Sequence, residues 1–298
     1  MKIIRAVKRT LLSAAKAIGY EVRKVGGKDE LNLYHELYSA NSVINRRFYN
    51  IGAGSFSHPY WTNIDYENEW YKQNNHLLTR GIHHDLFSGI QIPVPDESAE
   101  IIYTSHTIEH LTDDAARRLF AESYRMLKPG GLLRVTAPDI ELAFDAYQRR
   151  DRHFFRWERD YSQPDVMRAM AISSPLTSAS TEQLFIYHVA SAVSDLHADS
   201  SCAKVSDTEF RDLLNTKGFT RAMDDLTGRC TIEVQRKYVG NHINWWCHSK
   251  LERFLRIAGF RRVMPSQYLQ SQAAVLRNQD LFDFTVPSVS FYTEAIKE

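Results

Sequence analysis

Arg47-Phe48-Tyr49-Asn50-Ile51-Gly52-Ala53-Gly54, followed by Trp61-Thr62-Asn63-Ile64-Asp65, decides the fold. A short run of β-forming residues enters a Gly-x-Gly turn, and a second run ends on an acid. Working outward, Ile82 to Leu86 is compatible with a third strand, and Ala99 to Ser105 is a clearer fourth. Asp113 to Leu127 reads as a helix with Ala116, Leu119, Phe120, Ser123 and Leu127 on one side. Thr112 or Asp113 would cap its start, and Lys128-Pro129-Gly130-Gly131 would stop it. Leu132 to Ala137 is a fifth strand, closed by Pro138-Asp139. Strands alternating with helices predict a parallel sheet, because parallel neighbours need a crossover between them.

The alternation stops after Asp139 and returns at the helix His248 to Gly259, with strands at Phe260 to Met264 and Val289 to Thr293. The expected fold is therefore α/β, a Rossmann-like, mostly parallel seven-stranded sheet with helices on both faces and a helical insert after the fifth strand. The expected organisation is a helical extension over 1–45, a core from 46–139 and 245–298, and a mainly helical insert over 140–244. The insert has a loop from Ser173 to Thr181 and is rich in aromatics, among them Phe144, Tyr147, Phe154, Phe155, Trp157 and Tyr161.

Composition excludes several classes. A formal net charge of +1 gives no field that would recruit nucleic acid. Mean hydropathy is −0.41, with no apolar run of the ~18 residues that a membrane span needs. Cys202, Cys230 and Cys247 are odd in number and far apart, which suits reduced thiols in a cytoplasmic protein. Lys16 cuts the apolar stretch near the N-terminus too short for a signal peptide. As a helix, Ile4, Val7, Leu11, Ala15 and Ile18 share one face, with Lys2, Arg5, Lys8, Arg9 and Lys16 around it. A terminal helix packed on the core is the favoured reading. The alternative is a peripheral foot on the anionic inner face of a membrane.

The chemistry starts at the glycines. A strand running into Gly52-Ala53-Gly54 presents backbone N–H groups to a ligand at the carboxyl edge of the sheet. Asp65, ending the second strand, is placed to accept both hydroxyls of a nucleoside ribose, and Asp85 to accept from an adenine amino group. Either feature alone has a plainer reading, a tight turn for the glycines and a turn or capping aspartate for Asp85. The three in order, each at a strand's carboxyl end, are more specific than any one.

These segments, with Pro95-Asp96-Glu97-Ser98-Ala99-Glu100, Ser105-His106-Thr107-Ile108-Glu109-His110-Leu111 and Met126-Leu127-Lys128-Pro129-Gly130-Gly131, resemble the motif series of class I S-adenosylmethionine-dependent methyltransferases. The resemblance is closest to bacterial members associated with cell-surface polysaccharide synthesis. It covers about residues 47 to 139, and His248 to Thr293 more loosely. It implies S-adenosylmethionine as cofactor, held by Gly52, Ala53 and Gly54 at its methionine portion, Asp65 at the ribose and Asp85 at the adenine side, with Tyr66 and Leu86 also among the cofactor-binding residues. Ser105 and His106 would flank it.

The chain departs from the pattern in two places. Phe56 stands near where a third glycine is common, and Gly54 to Asp65 is a short crossover. The first crossover helix must be clipped or replaced by the loop Ser57-His58-Pro59-Tyr60. That argues against a dinucleotide, whose pyrophosphate needs a full helix N-terminus.

His106-Thr107-Ile108-Glu109-His110 also spells H-x-x-E-H, an inverted zinc-protease pattern. A protease carries it inside a helix, whereas here a strand runs into His106, and no third ligand stands out downstream. No metal is expected. His106 is instead the first candidate for a general base toward a hydroxyl acceptor, His110 the second, and Glu109 would orient either.

The acceptor expected is a small molecule or glycan. The insert would cover it with its aromatics and Arg149, Arg150, Arg152, Arg156 and Arg159, and Trp245, Trp246 and His248 would border it. The rival readings are a catalytically silent scaffold of the same fold and an NAD-dependent oxidoreductase.

Overall fold

The computed structural model describes residues 28–66, 81–155 and 163–298. The basic N-terminal helix, Arg156, Trp157, Arg159 and Tyr161 lie outside the described residues. The strands are β1 (Phe48–Ile51), β2 (Trp61–Asp65), β3 (Gly81–His83), β4 (Ala99–Ser105), β5 (Leu127–Pro138), β6 (Arg262–Ser266) and β7 (Ser290–Ile296). They form one seven-stranded sheet in the order β3-β2-β1-β4-β5-β7-β6. All pairings are parallel except those of β7, which runs antiparallel to both β5 and β6. The expected Rossmann-like architecture is present.

Alternation along the strands sends side chains to two cores. Tyr49, Ile51, Ile64, Ile102, Leu133 and Val135 face one side, where the helices Asp113–Met126 and His248–Ile257 lie over them. Phe48, Trp61, Ile101, Tyr103 and Leu132 face the other and meet Tyr34 and Val43 from the helices Lys28–Leu37 and Ala40–Ile44. Trp61 donates its indole N–H to the Tyr34 hydroxyl at 2.7 Å, so the buried polar ends of both rings are satisfied.

Several boundaries move. The third strand ends at His83, and Asp85 sits in the turn beyond it. The helix from Asp113 ends at Met126, capped by the Thr112 hydroxyl on the Ala115 N–H, and β5 already begins at Leu127. The last two strands start two residues and one residue later than predicted. The crossover between β1 and β2 has no helix, as its length requires.

Residues 140–247 carry their own core, which includes Phe155, Phe185, Phe210, Met223 and Trp245. Among the described residues its helices are Ile140–Gln148, Pro164–Ala169, Thr181–Val189, Asp207–Gly228, which is broken by a kink at Gly218, and Ile232–Lys237. The predicted loop over Ser173 to Thr181 is partly ordered: Leu176–Ser178 forms one 3-10 turn, and Ser180 caps the helix that follows.

Candidate active site

The carboxyl ends of β1, β2 and β4 open into a cavity of about 750 Å³. Gly52, Ala53, Gly54, Asp65, Tyr66, Asp85, Leu86, Ser105, His106 and His110 all line it, so the sequence-predicted residues meet in one place. This is the crevice where open α/β sheets bind ligands.

The two glycines have different tasks. Both are left-handed, Gly52 at φ 69° and Gly54 at φ 52°. A Cβ at Gly52 would stand 2.1 Å from the Thr107 hydroxyl, so that glycine makes room for the loop after β4, not for a ligand. A Cβ at Gly54 would meet nothing within 4 Å. Gly54 keeps the cavity wall low.

Asp65 ends β2 with both oxygens on backbone: Oδ2 accepts from Gly54 N–H at 2.6 Å and Oδ1 from Tyr66 N–H at 2.7 Å. These bonds fix the carboxylate in the cavity wall. The Ser105 hydroxyl, buried in the wall, has no hydrogen-bond partner among the described residues.

Asp85 is more committed. Oδ1 caps its own turn at Phe87 N–H (2.9 Å), and Oδ2 pairs with Arg236 at 2.7 Å. The turn-aspartate reading describes these contacts. Sequence reasoning missed Arg236, which comes from the insert and lies over the Tyr66 and Phe87 rings, with centroids 6.0 and 5.8 Å away. Asp280, Leu281, Phe284 and Thr285 also line the cavity without any local sequence signal.

Behind that last segment is a buried ion cluster. Arg134, in mid-β5 and fully buried, reaches Asp283 at 2.5 Å and Glu294 at 2.9 Å. The Tyr103 hydroxyl accepts from Asp283 N–H at 2.8 Å. These contacts hold the 280–285 segment against the end of the sheet.

His106 takes a left-handed backbone (φ 51°), unusual for a residue with a Cβ. Its Nε2 lies 2.8 Å from the Ser290 hydroxyl and its Nδ1 3.1 Å from Glu109. After it, Ile108–His110 forms a single 3-10 turn, so H-x-x-E-H does not have the helical geometry of a protease. Glu109 is 2 % exposed. Burial alone would raise its carboxyl, but the His106 contact and the imidazoles of His106, His110 and His242 hold it down, to about 2. Glu109 anchors the end of the insert through its backbone, its carbonyl accepting from Ile243 and Asn244 N–H, each at 3.0 Å. That brings His242 beside Glu109 and His110, a third partner that the sequence did not reveal.

The other acceptor-site candidates lie elsewhere. Trp245 gives its indole N–H to Asp224, Trp246 gives its own to the Ile108 carbonyl, and His248 Nδ1 is 2.8 Å from the Thr293 hydroxyl; none lines the cavity. Arg152 spends its guanidinium on the carbonyls of Leu176 and Ala179. Phe144 and Tyr147 pack with Phe185 inside the insert.

Residues 52–135 match the family model of a methyltransferase domain. No curated protein matches the chain. Among solved structures, a SAM-dependent methyltransferase from Thermotoga maritima, described as a possible histamine N-methyltransferase, is 15% identical with a TM-score of 0.37, over 90% of this chain and 88% of its own. One from Archaeoglobus fulgidus is 13% identical with a TM-score of 0.37, over 91% and 95%. One from Aquifex aeolicus is 12% identical with a TM-score of 0.35, over 92% and 100%. The stretch that builds the floor of the cavity, from the Gly52 turn through most of β5, is thus similar in sequence to a methyltransferase domain and lies on a Rossmann-like sheet.

Proposed function

We propose that the protein transfers a methyl group from S-adenosylmethionine to an oxygen of a small molecule or glycan held between the core and the insert. One observation carries the reading: the Asp65 carboxylate is fixed by two backbone N–H groups in a cavity that also holds the open Gly54 turn and the unpartnered Ser105 hydroxyl. The methyltransferase-domain match over the same residues supports it.

The residues fit the cofactor in parts. Asp65, at the end of β2 in the cavity wall, is placed to accept from ribose hydroxyls. The low wall at Gly54 admits the methionine portion beside the β1 turn. Tyr66, Leu86 and Phe87, with Arg236 across them, form a slot of the right character for a flat base. When bound, the cofactor supplies a methyl carbon on a sulfonium that needs no further activation.

What the chain then does is align, exclude water and take a proton. Alignment alone contributes roughly 7–11 kcal/mol in well-oriented reactions. Glu109 favours the His106 tautomer with hydrogen on Nδ1, which leaves Nε2 as acceptor toward Ser290 and the cavity. An acceptor hydroxyl that replaced the Ser290 contact would give its proton to Nε2, and the bound sulfonium would supply the methyl group and keep the electron pair of its broken carbon–sulfur bond.

Calorimetric titration with S-adenosylhomocysteine tests the cofactor half. The expected result is binding weakened about 10-fold to 100-fold by Asp65→Ala, the value of one or two charge-assisted hydrogen bonds. No binding to the folded wild-type protein would leave the scaffold reading instead.

A further inference from the structure

We propose that Glu109, His110 and His242 form a three-ligand site for a divalent transition-metal ion of the zinc type, on the cavity wall that His110 shares, with a remaining position for the acceptor's oxygen. One ligand atom from each residue lies within 4.8 Å of the others. Closing to bond lengths of 2.0–2.2 Å takes roughly an ångström of side-chain movement.

The hydrogen bonds around the trio prepare it for a metal. His110 Nδ1 is 2.9 Å from the Asn241 carbonyl, and His242 Nδ1 is 2.6 Å from the His188 carbonyl. A carbonyl only accepts, so both Nδ1 atoms carry hydrogen and both Nε2 atoms present a lone pair. Metal-bound histidines are oriented in this way, through a donated bond from the other ring nitrogen.

Glu109 supplies the second, independent observation. Its side chain is fully buried, and neither oxygen makes a hydrogen bond of good geometry among the described residues, although His106 Nδ1 stands 3.1 Å from Oε1. A buried carboxylate beside two imidazole nitrogens is an arrangement that a divalent cation would join. With two oxygens, the carboxylate can face His106 and the metal together.

Two histidines and one carboxylate are the ligand set of open zinc sites, which polarise a bound oxygen and lower its pKa. In this protein the metal would bind the acceptor hydroxyl and make its proton easier for His106 to remove. That role rests on the methyltransferase reading; the metal site itself does not.

The test uses the full chain, stripped with chelator and titrated calorimetrically with Zn²⁺. Absorption spectra of the Co²⁺-loaded protein report four-coordination. His242→Asn and His110→Asn keep an N–H for the carbonyls of His188 and Asn241 but remove the Nε2 ligand. Melting curves in chelator show whether each variant is folded. We expect one Zn²⁺ per wild-type chain, and affinity lost by at least about 100-fold in either variant that melts like wild type. A chain that takes up neither Zn²⁺ nor Co²⁺, or folded variants that bind as wild type does, would overturn the proposal. If both variants unfold, the Co²⁺ spectrum of the wild type decides: absence of four-coordinate bands refutes the site. S-adenosylhomocysteine titration of the same preparation separates the readings, since metal without nucleoside binding refutes only the methyltransferase.

Discussion

A methyl group added at position 52 would strike the Thr107 side chain, whereas one added at position 54 would enter the cavity. The two alanine variants should therefore fail differently. Gly52→Ala combines a left-handed backbone with overpacking and should lose roughly 2–4 kcal/mol of stability in urea titration. Gly54→Ala should lose only about 1 kcal/mol from its backbone, and its main effect should be S-adenosylhomocysteine binding weakened several-fold in calorimetry. His58 gives a pH signature at the same scale. It is buried 3.0 Å from Glu30, and burial, with Arg46 nearby, lowers it to about 4. Burial also raises the Glu30 carboxyl, so neither partner favours charge. The unfolded chain takes up this proton near 6.5 and the folded chain only near 4, so the contribution is whole above 6.5 and shrinks as pH falls toward 4. Between pH 7 and pH 5 the protein should lose about 2 kcal/mol through this group, and His58→Gln should flatten that part of the urea-stability profile.

The strands, the Gly-x-Gly turn and the acid at the end of β2 were legible because each is a local pattern: a β run, a required left-handed turn, a polar residue where burial ends. The elements that escaped reading meet only through distant chain. Arg134 sits inside an apolar run and looks anomalous until Asp283 and Glu294 arrive from beyond the insert. His242 has no neighbour in sequence that marks it, and it finds Glu109 only because Ile243 and Asn244 donate to the Glu109 carbonyl. Asp85 was legible as a polar position, but not its pairing with Arg236 from the insert. Trp245, Trp246 and His248 misled because aromatics beside a returning helix serve a core as readily as a ligand. For β5, Arg134→Met leaves Asp283 and Glu294 buried without a cation and should cost about 3–5 kcal/mol in thermal or urea unfolding. The 280–285 segment should loosen with it, weakening S-adenosylhomocysteine binding as well.

At the scale of the molecule, core and insert are joined at the cavity. The insert reaches the cavity rim through Gln235, Arg236, Val239 and Gly240, and its last residues are hydrogen-bonded to the 3-10 turn after β4. Arg236 is half-exposed, so its ion pair contributes little to stability. Arg236→Ala should change urea stability by less than about 0.5 kcal/mol yet weaken S-adenosylhomocysteine binding roughly threefold to tenfold. Calorimetry at low and high salt should show the difference narrowing as the pair is screened. Among the described residues no helix is long and apolar enough to cross a membrane.

The position of β7 sets an order of events. The last strand of the chain lies between β5 and β6, pairing Leu132 with Ile296 on one side and Arg262 with Ile296 on the other. Once β5 has been synthesised, its edge stays open until the whole insert and β7 have emerged. Contacts that span so much chain form slowly, because loop closure precedes any reward from pairing. During synthesis the insert would have time to gather around its own core, and the final strand would then lock Ser290 beside His106. β7 thus works as a latch: the cavity wall at His106 is closed by Ser290, 184 residues further along the chain.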